Sequence, residues 1–373
     1  MKKLTKRLLT ITLAAALAAS ALFALSASAT ACPCHPRELG ETLGYIHILN
    51  TGWEDATVLK SDGQIALIDA AEPGRGPYIV GYLQRLMGTE DVHLEFVIVS
   101  HSDIDHIGGF PYIFNHPNIT VGRAYAMYER APYAFAWYHS FIEAAENNGI
   151  ELILHDLDER VFTLGHMTIT NLNGAPFDPR GSMNAQSMVQ LVEIGDWRTI
   201  IAADMNCRNA EAHIWQQMSR TADGQAPIDL LRAGHHGLHL STGRVWANNL
   251  RPTYAVFTNG RSWQTQSHDV TLGNARGAAL DGVGAYHNLR RVGTRQFVTT
   301  DNGGILAVFG TTGMELRAIG EFSYHTRWVD QNEWWHDDTI TLTRIAPPNH
   351  NMFEHAVLWL QDHWQGLLRR WGV

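Results

Sequence analysis

Residues 96–110 read FVIVSHSDIDHIGGF. An apolar, strand-like run ends on His101, Asp103, Asp105 and His106, and Gly108 and Gly109 then break the chain. Imidazole nitrogen and carboxylate oxygen are the usual ligands of zinc, manganese and iron. Alternate residues share one face of a strand, and a tight loop beyond it can turn its neighbours to the same point. Glycines permit that sharp turn. The bland alternative is a polar loop whose aspartates cap the next helix. Two further packets weigh against it. TIIAADMN ends an apolar run on Asp204, and a lone carboxylate there is costly unless paired or ligated. IDLLRAGHHGLHLST ends another on His235 and His236, followed by Gly237. Singly, Asp204 reads as a helix cap and the histidines as loop residues. Three such strand ends in one chain point to a shared dinuclear site, at the carboxyl ends of strands where α/β sheets place their sites.

The elements that must position these residues follow from pattern. Residues 45–70, broken by Gly52 and by the turn SDG, predict three short strands in a meander. PYIVGYLQRLMG (77–88) fits an amphipathic helix closed by Gly88. LEFVIVS, HMTITNLN, SMVQLVEIG, RTIIAADM, IDLLRAG and TYAVFTNG read as strands, NAEAHIWQQMSR as a helix, and residues 110–150 as helix and loop. No internal repeat follows the first 29 residues.

The motif HSDIDH resembles the H-x-[HD]-x-D-H signature of metallo-β-lactamase-fold hydrolases. With GG after it, it is similar to one branch: the hydrolase domain at the C-terminus of bacterial competence DNA-uptake channels, and its secreted stand-alone relatives. HILNTGWEDATVLKSDGQIALIDA, NAQSMVQLVEIGDWRTIIAADM, LLRAGHHGLHLST and FVTTDNGGI follow that branch in order, over about residues 43–310. The departures are NTGWED for the usual Val-Gly-Gln-Gly-Asp turn, with Asp55 as the matching acid, and AAD where Thr-Gly-Asp is common. No clean His-Pro segment follows; His268 and His287 are the candidates.

The resemblance implies an αββα four-layer sandwich and two divalent ions, zinc or manganese. It implies one ion on His101 and Asp103. The second falls to Asp105, His106 and a later histidine, His235 first, and Asp204 bridges the two. His236 then contacts substrate or supports catalysis beside Asp105. Asn184 is a weak ligand or orienting amide, and Asp69 the partner of a ligating histidine. His47, His93, His139, His155, His166 and His213 are expected to ligate nothing. Two divalent ions would lower the pKa of a shared water, to about 7 in zinc sites, for attack on phosphorus or a carbonyl carbon. Asp103, a hard oxygen ligand, brings manganese into range.

The expected reaction is phosphoester hydrolysis. The alternatives are cleavage of a C–N or C–O bond, as in lactamase or lactonase relatives, and a non-catalytic binding module on the same fold. Tyr112, Phe114, Tyr125, Tyr128, Tyr133, Phe135, Trp137 and Tyr138 would either stack on substrate or simply pack helices on the core.

Residues 1–29 pair a basic start with an apolar run and small residues at its end, which predicts a signal peptide cleaved after Ala29 and hence a secreted or extracytoplasmic protein without a transmembrane domain. Its removal takes four basic and no acidic residues, moving the net charge from −9 to −13. So acidic a chain disfavours a tight grip on nucleic acid, though a local basic groove would override that; the partner expected is a small or polymeric phosphoester. Cys32, Cys34 and Cys207 allow one disulfide and suggest no cysteine metal site. Residues 30–42 form a short mature N-terminal segment, 43–320 the hydrolase domain, and 321–373 an extension with six of the twelve tryptophans. Its amphipathic end is expected to dock on the domain's own surface rather than a membrane.

Overall fold

The computed structural model describes residues 39–126, 136–154, 161–172, 183–219, 227–238, 241–258 and 285–319. The signal-like segment, Cys32, Cys34, His155, His268, Tyr128, Tyr133, Phe135 and the C-terminal extension lie outside them.

The first sheet is built from β1 (Thr42–Leu49), β2 (Thr57–Ser61), β3 (Gln64–Ile68), β5 (Phe96–Val99), β7 (Arg123–Ala126), β8 (Glu151–Leu154), β16 (Gly304–Gly310) and β17 (Met314–Ala318). Their order is β17-β16-β1-β2-β3-β5-β7-β8. The second sheet holds β9 (Val161–Leu164), β10 (Met167–Asn171), β11 (Gln190–Ile194), β12 (Trp197–Ile201), β13 (Leu230–Arg232), β14 (Tyr254–Phe257) and β15 (Arg295–Val298), in the order β15-β14-β13-β12-β11-β10-β9. β4 (Val92–Leu94) and β6 (Ile119–Val121) form a small parallel pair.

Each sheet changes character half-way. In the first, β1, β2 and β3 run antiparallel, and β3, β5, β7 and β8 run parallel. In the second, β9 to β12 are antiparallel and β12 to β15 parallel. The predicted SDG turn closes β2 onto β3 with both central residues left-handed, Asp62 at φ 50° and Gly63 at φ 76°, the twist a two-residue hairpin requires.

Alternation along the strands makes three apolar layers. In β3, Ile65 and Leu67 face α1 (Gly76–Met87), α3 (Phe110–Phe114) and α4 (Ala136–Asn147), while Ala66 and Ile68 face the other sheet. Ile46, Ile98, Val192 and Val256 belong to that inter-sheet core. On the far side, Ile200 and Leu231 meet α5 (Arg208–Met218), α6 (Arg244–Leu250) and α7 (Ala285–Arg291). Helix, sheet, sheet, helix is the αββα sandwich expected. The predicted helix closed by Gly88 is α1, whose C-cap glycine sits at φ 67°. The expectation of only helix and loop at 110–150 is corrected by β6 and β7. Three- and four-residue strands around Gly122 are too short to show a period of two.

Candidate metal centre

The opening packet lies where β5 ends. Beyond Val99 the chain passes through Ser100 to Asp103 into the one-turn helix α2 (Ile104–Ile107), which carries Asp105 and His106. The chain just beyond α2 packs closely on the Ala70 backbone because Gly109 has no side chain: a Cβ at that position would stand 2.1 Å from the Ala70 carbonyl oxygen. Asp103 sits at the N-cap of α2 but makes no capping hydrogen bond. Asp204 follows β12, and Cys207, not Asp204, is the N-cap of α5. The capping alternatives are therefore not realised.

Hydrogen bonds orient the histidines. His106 Nδ1 lies 2.8 Å from Asp69 Oδ2, a carboxylate that also accepts from Ser100 N at 2.8 Å and Ser100 Oγ at 2.7 Å. His236 Nδ1 lies 2.9 Å from the Thr258 carbonyl oxygen. His101 Nδ1 lies 3.0 Å from Ser100 Oγ, whose own hydrogen goes to Asp69. Each of these partners accepts, so each Nδ1 carries the hydrogen and each Nε2 faces the site. His101 Nε2, His106 Nε2 and Asp204 Oδ1 are buried and find no hydrogen-bonding geometry among the described residues.

Four donor atoms converge. His106 Nε2 and His236 Nε2 each stand 3.3 Å from Asp204 Oδ1, and 3.7 and 3.3 Å from Asp105 Oδ2. A tetrahedral cation with ligands at about 2.1 Å separates them by about 3.4 Å, so this set fits a divalent ion. Asp55 also comes within 4.8 Å of the ligand atoms of His106, Asp204 and His236. Its Oδ2, however, is bound by Arg232 and faces His106 at Nδ1, 3.6 Å away, whereas Asp105 Oδ2 faces both Nε2 atoms, which makes Asp105 the better fourth donor.

A second, more open set lies alongside. His101 Nε2 is 3.5 Å from Asp103 Oδ2, and the Asp103 side chain is 35% exposed. Asp204 turns its other oxygen, Oδ2, toward His235 Nε2 at 3.8 Å, and Asn184 Nδ2 is 3.0 Å from that same nitrogen. Asp204 thus turns one oxygen to the first set and the other to His235.

The electrostatics call for positive charge. Burial pulls His106 down, but Asp204, Asp105 and Asp69 outweigh it and hold its pKa well above the usual histidine value. His236 is likewise raised, burial being overcome by Asp204 and Asp105. Burial pushes Asp204 up, yet His236 and His106 bring it well below the carboxylate range. The proton that these rings attract at Nε2 is what a cation would displace. His235 differs: burial takes it down to about 4.

With this geometry in view, the Metallo-beta-lactamase superfamily matches residues 54–255. The chain belongs to that superfamily. It is 27% identical to Recombination protein 2 of Haemophilus influenzae over 242 residues, which is 63% of this chain and 27% of that protein. Among solved structures it is similar to the metallo-beta-lactamase fold protein YhfI from Bacillus subtilis, at 14% identity over 73% of this chain and 99% of that one, TM-score 0.43. It is also similar to a CmlA beta-hydroxylase mutant, at 13% identity over 68% and 52% of the two chains, TM-score 0.41. The superfamily is one of metal-dependent hydrolases, and the buried donor cluster suits it.

Sequence reasoning placed His101, Asp103, Asp105, His106, Asp204 and His235 in the ligand set and His236 beside it. The structure brings all of them to one locality, with Asp69 against His106 Nδ1 and Asn184 against His235 Nε2. It places His236 Nε2 closer than His235 Nε2 to the Asp204 carboxylate. His287 falls on α7. His47 is buried away from the site against Tyr82, and His93, His139, His166 and His213 belong to neither set. Of the aromatics, Phe114, Tyr125 and Tyr138 are core residues; Trp137 anchors the loop before α2 by donating to the Ser102 carbonyl at 2.7 Å. Arg232 and Thr258 were missed. A charged residue inside the apolar run LLRAG was the available signal for the first; Thr258 had none.

Among the described residues no helix is long and apolar enough to cross a membrane.

Proposed function

We propose that this chain is an exported, dinuclear metal-dependent hydrolase that cuts a phosphoester bond, with zinc or manganese as the metal. The observation that carries the reading is that His106 Nε2 and His236 Nε2 each stand 3.3–3.7 Å from both Asp105 Oδ2 and Asp204 Oδ1. These four would hold one ion. His101, Asp103 and Asp204 Oδ2 would hold the other, with His235 and Asn184 at its rim. Bound divalent ions supply Lewis acidity toward water and toward the oxygen that gains charge in the transition state.

The chain's own residues do the rest. Asp69 and the Thr258 carbonyl keep the Nε2 atoms of His106 and His236 aimed inward. Asp105, buried beside both rings, orients the attacking water. Asp103, half-exposed, is the ligand nearest to entering substrate. An oxygen-rich set with three aspartates suits a phosphoryl group. The name Recombination protein 2 ties that relative to nucleic acid, which supports a phosphodiester; the acidic composition favours a short or small substrate over a long duplex.

The test is metal analysis of the purified protein with a panel of bis-p-nitrophenyl phosphate, single-stranded DNA, phosphocholine esters and nitrocefin. The expected result is two ions per chain and chelator-sensitive phosphodiester hydrolysis. Nitrocefin turnover without phosphodiester turnover overturns the substrate assignment.

A further inference from the structure

Arg232 is the last residue of the apolar strand β13, fully buried, and as a cation beside a metal site it is out of place by charge alone. Its contacts explain it. One guanidinium nitrogen donates to the carbonyl of Ala203, the residue before Asp204. The other donates to the Asp55 carboxylate and, at 2.6 Å, to Thr258 Oγ1. Each of these acceptors holds a donor of the inner set. The Asp55 amide donates to the Asp105 carbonyl at 3.1 Å, and the Thr258 carbonyl accepts from His236 Nδ1 at 2.9 Å. The Ala203 carbonyl also accepts the His235 amide, at 2.8 Å.

We infer that Arg232 is the positioning residue of the inner metal set, tying the segments that carry Asp105, Asp204 and His236 to one rigid fork. His106, the fourth donor, is held separately by Asp69. A planar guanidinium sends donors in divergent directions from one fixed frame, whereas a lysine ammonium is a flexible point charge. This inference rests on the metal reading above and adds to it a residue that touches neither metal nor substrate.

Charge and position make opposite predictions. Arg232 Nη1 is 3.8 Å from Asp204 Oδ1, so as a charge it repels any cation bound there. If charge were its whole effect, Arg232→Met would tighten cation binding and Arg232→Lys would leave it unchanged. If it positions the ligands, both variants weaken binding, on the order of 10- to 100-fold, as loss of a ligand's supporting partner does.

The experiment titrates the full-length chain, wild type and both variants, with Co(II). Affinity is read by competition with a chelating dye and ligand geometry by the cobalt absorption bands, after circular dichroism has shown each variant folded. Weaker binding with altered bands in both variants is the expected result. Wild-type bands with equal or tighter binding in either variant overturns the role. Removing the arginine strands the buried Asp55, so Arg232→Met is at risk of not folding; Arg232→Lys then carries the test. Should neither fold, Thr258→Val, which removes one acceptor and leaves the charge in place, is read by the same criteria. A wild-type chain that binds no Co(II) overturns the metal reading itself.

Discussion

At the end of the first sheet, Asp105 and His106 ride on a one-turn helix with ordinary right-handed backbone, and the left-handed residues Asp69 and Ala71 lie in the neighbouring loop. At the end of the second sheet the unusual backbone lies in the site residues themselves. His235 and His236 are consecutive left-handed residues at φ 48° and 52°, and Ala203, next to Asp204, has φ 44°. Each such residue costs about 1–3 kcal/mol and persists only where its surroundings over-determine it. The surroundings are visible: Thr242 Oγ1 accepts from the Gly234 amide, Asn288 donates to the Thr242 carbonyl, and Glu211 accepts from the Gly243 amide. The first half presents its site residues on ordinary helical backbone, the second on strained backbone that depends on tertiary support.

That contrast is most easily broken at the histidine pair. The second loop brings His236 Nε2 to 3.3 Å from both Asp105 and Asp204, and His235 Nε2 only to 3.8 Å from Asp204. His236→Ala should remove one ion and lower activity roughly 100-fold or more, as loss of a group acting on the transition state does. His235→Ala should cost about tenfold and leave metal content near wild type. Metal analysis with steady-state rates ranks the two; the reverse order returns the ligand to His235, the residue that the family resemblance favours.

A smaller effect sharpens the idea of tertiary support. Burial raises Glu211 to about 8, against which the Gly243 and Thr242 amides and Arg208 pull down. An acid whose folded pKa lies above its unfolded value stabilises fully below the unfolded value, near 4.5, and loses that contribution as pH rises through about 8. Glu211→Gln keeps an acceptor for Gly243 and cannot ionise. Its melting temperature should therefore exceed that of wild type by a margin that grows from pH 5 to 9. Parallel pH profiles for the two proteins would show that Glu211 does not hold the second loop as a neutral acid.

The same contrast explains what the sequence disclosed. His101, Asp103, Asp105 and His106 were legible because strand, turn and helix fit within fifteen residues and Gly108 and Gly109 mark the break. The αββα layering was legible from the motifs' order rather than from any period. The choice between His235 and His236 was not, because it depends on two backbone angles that no residue type signals. β6 and β7 were hidden by their shortness. Arg232 was hidden for another reason: its partners Asp55, Ala203 and Thr258 come from three separate segments, and only folding brings them together.

The smallest effect tests whether the strain is real. Ala202 and Ala203 are both buried, at 2% and 1% exposure, and only Ala203 is left-handed. Glycine at either position loses a buried methyl, about 0.8 kcal/mol, and adds unfolded-state freedom worth roughly 0.5–1 kcal/mol. At Ala202 nothing offsets these losses, so Ala202→Gly should destabilise by about 1.5 kcal/mol. At Ala203 glycine also releases left-handed strain of about 1–3 kcal/mol, so Ala203→Gly should fall between about 0.5 kcal/mol destabilising and about 1.5 kcal/mol stabilising. Chemical denaturation of the two variants side by side measures the gap, and with it the strain beside Asp204. Equal destabilisation would mean that Ala203 carries none, and that the second half of the site is held no more tightly than the first.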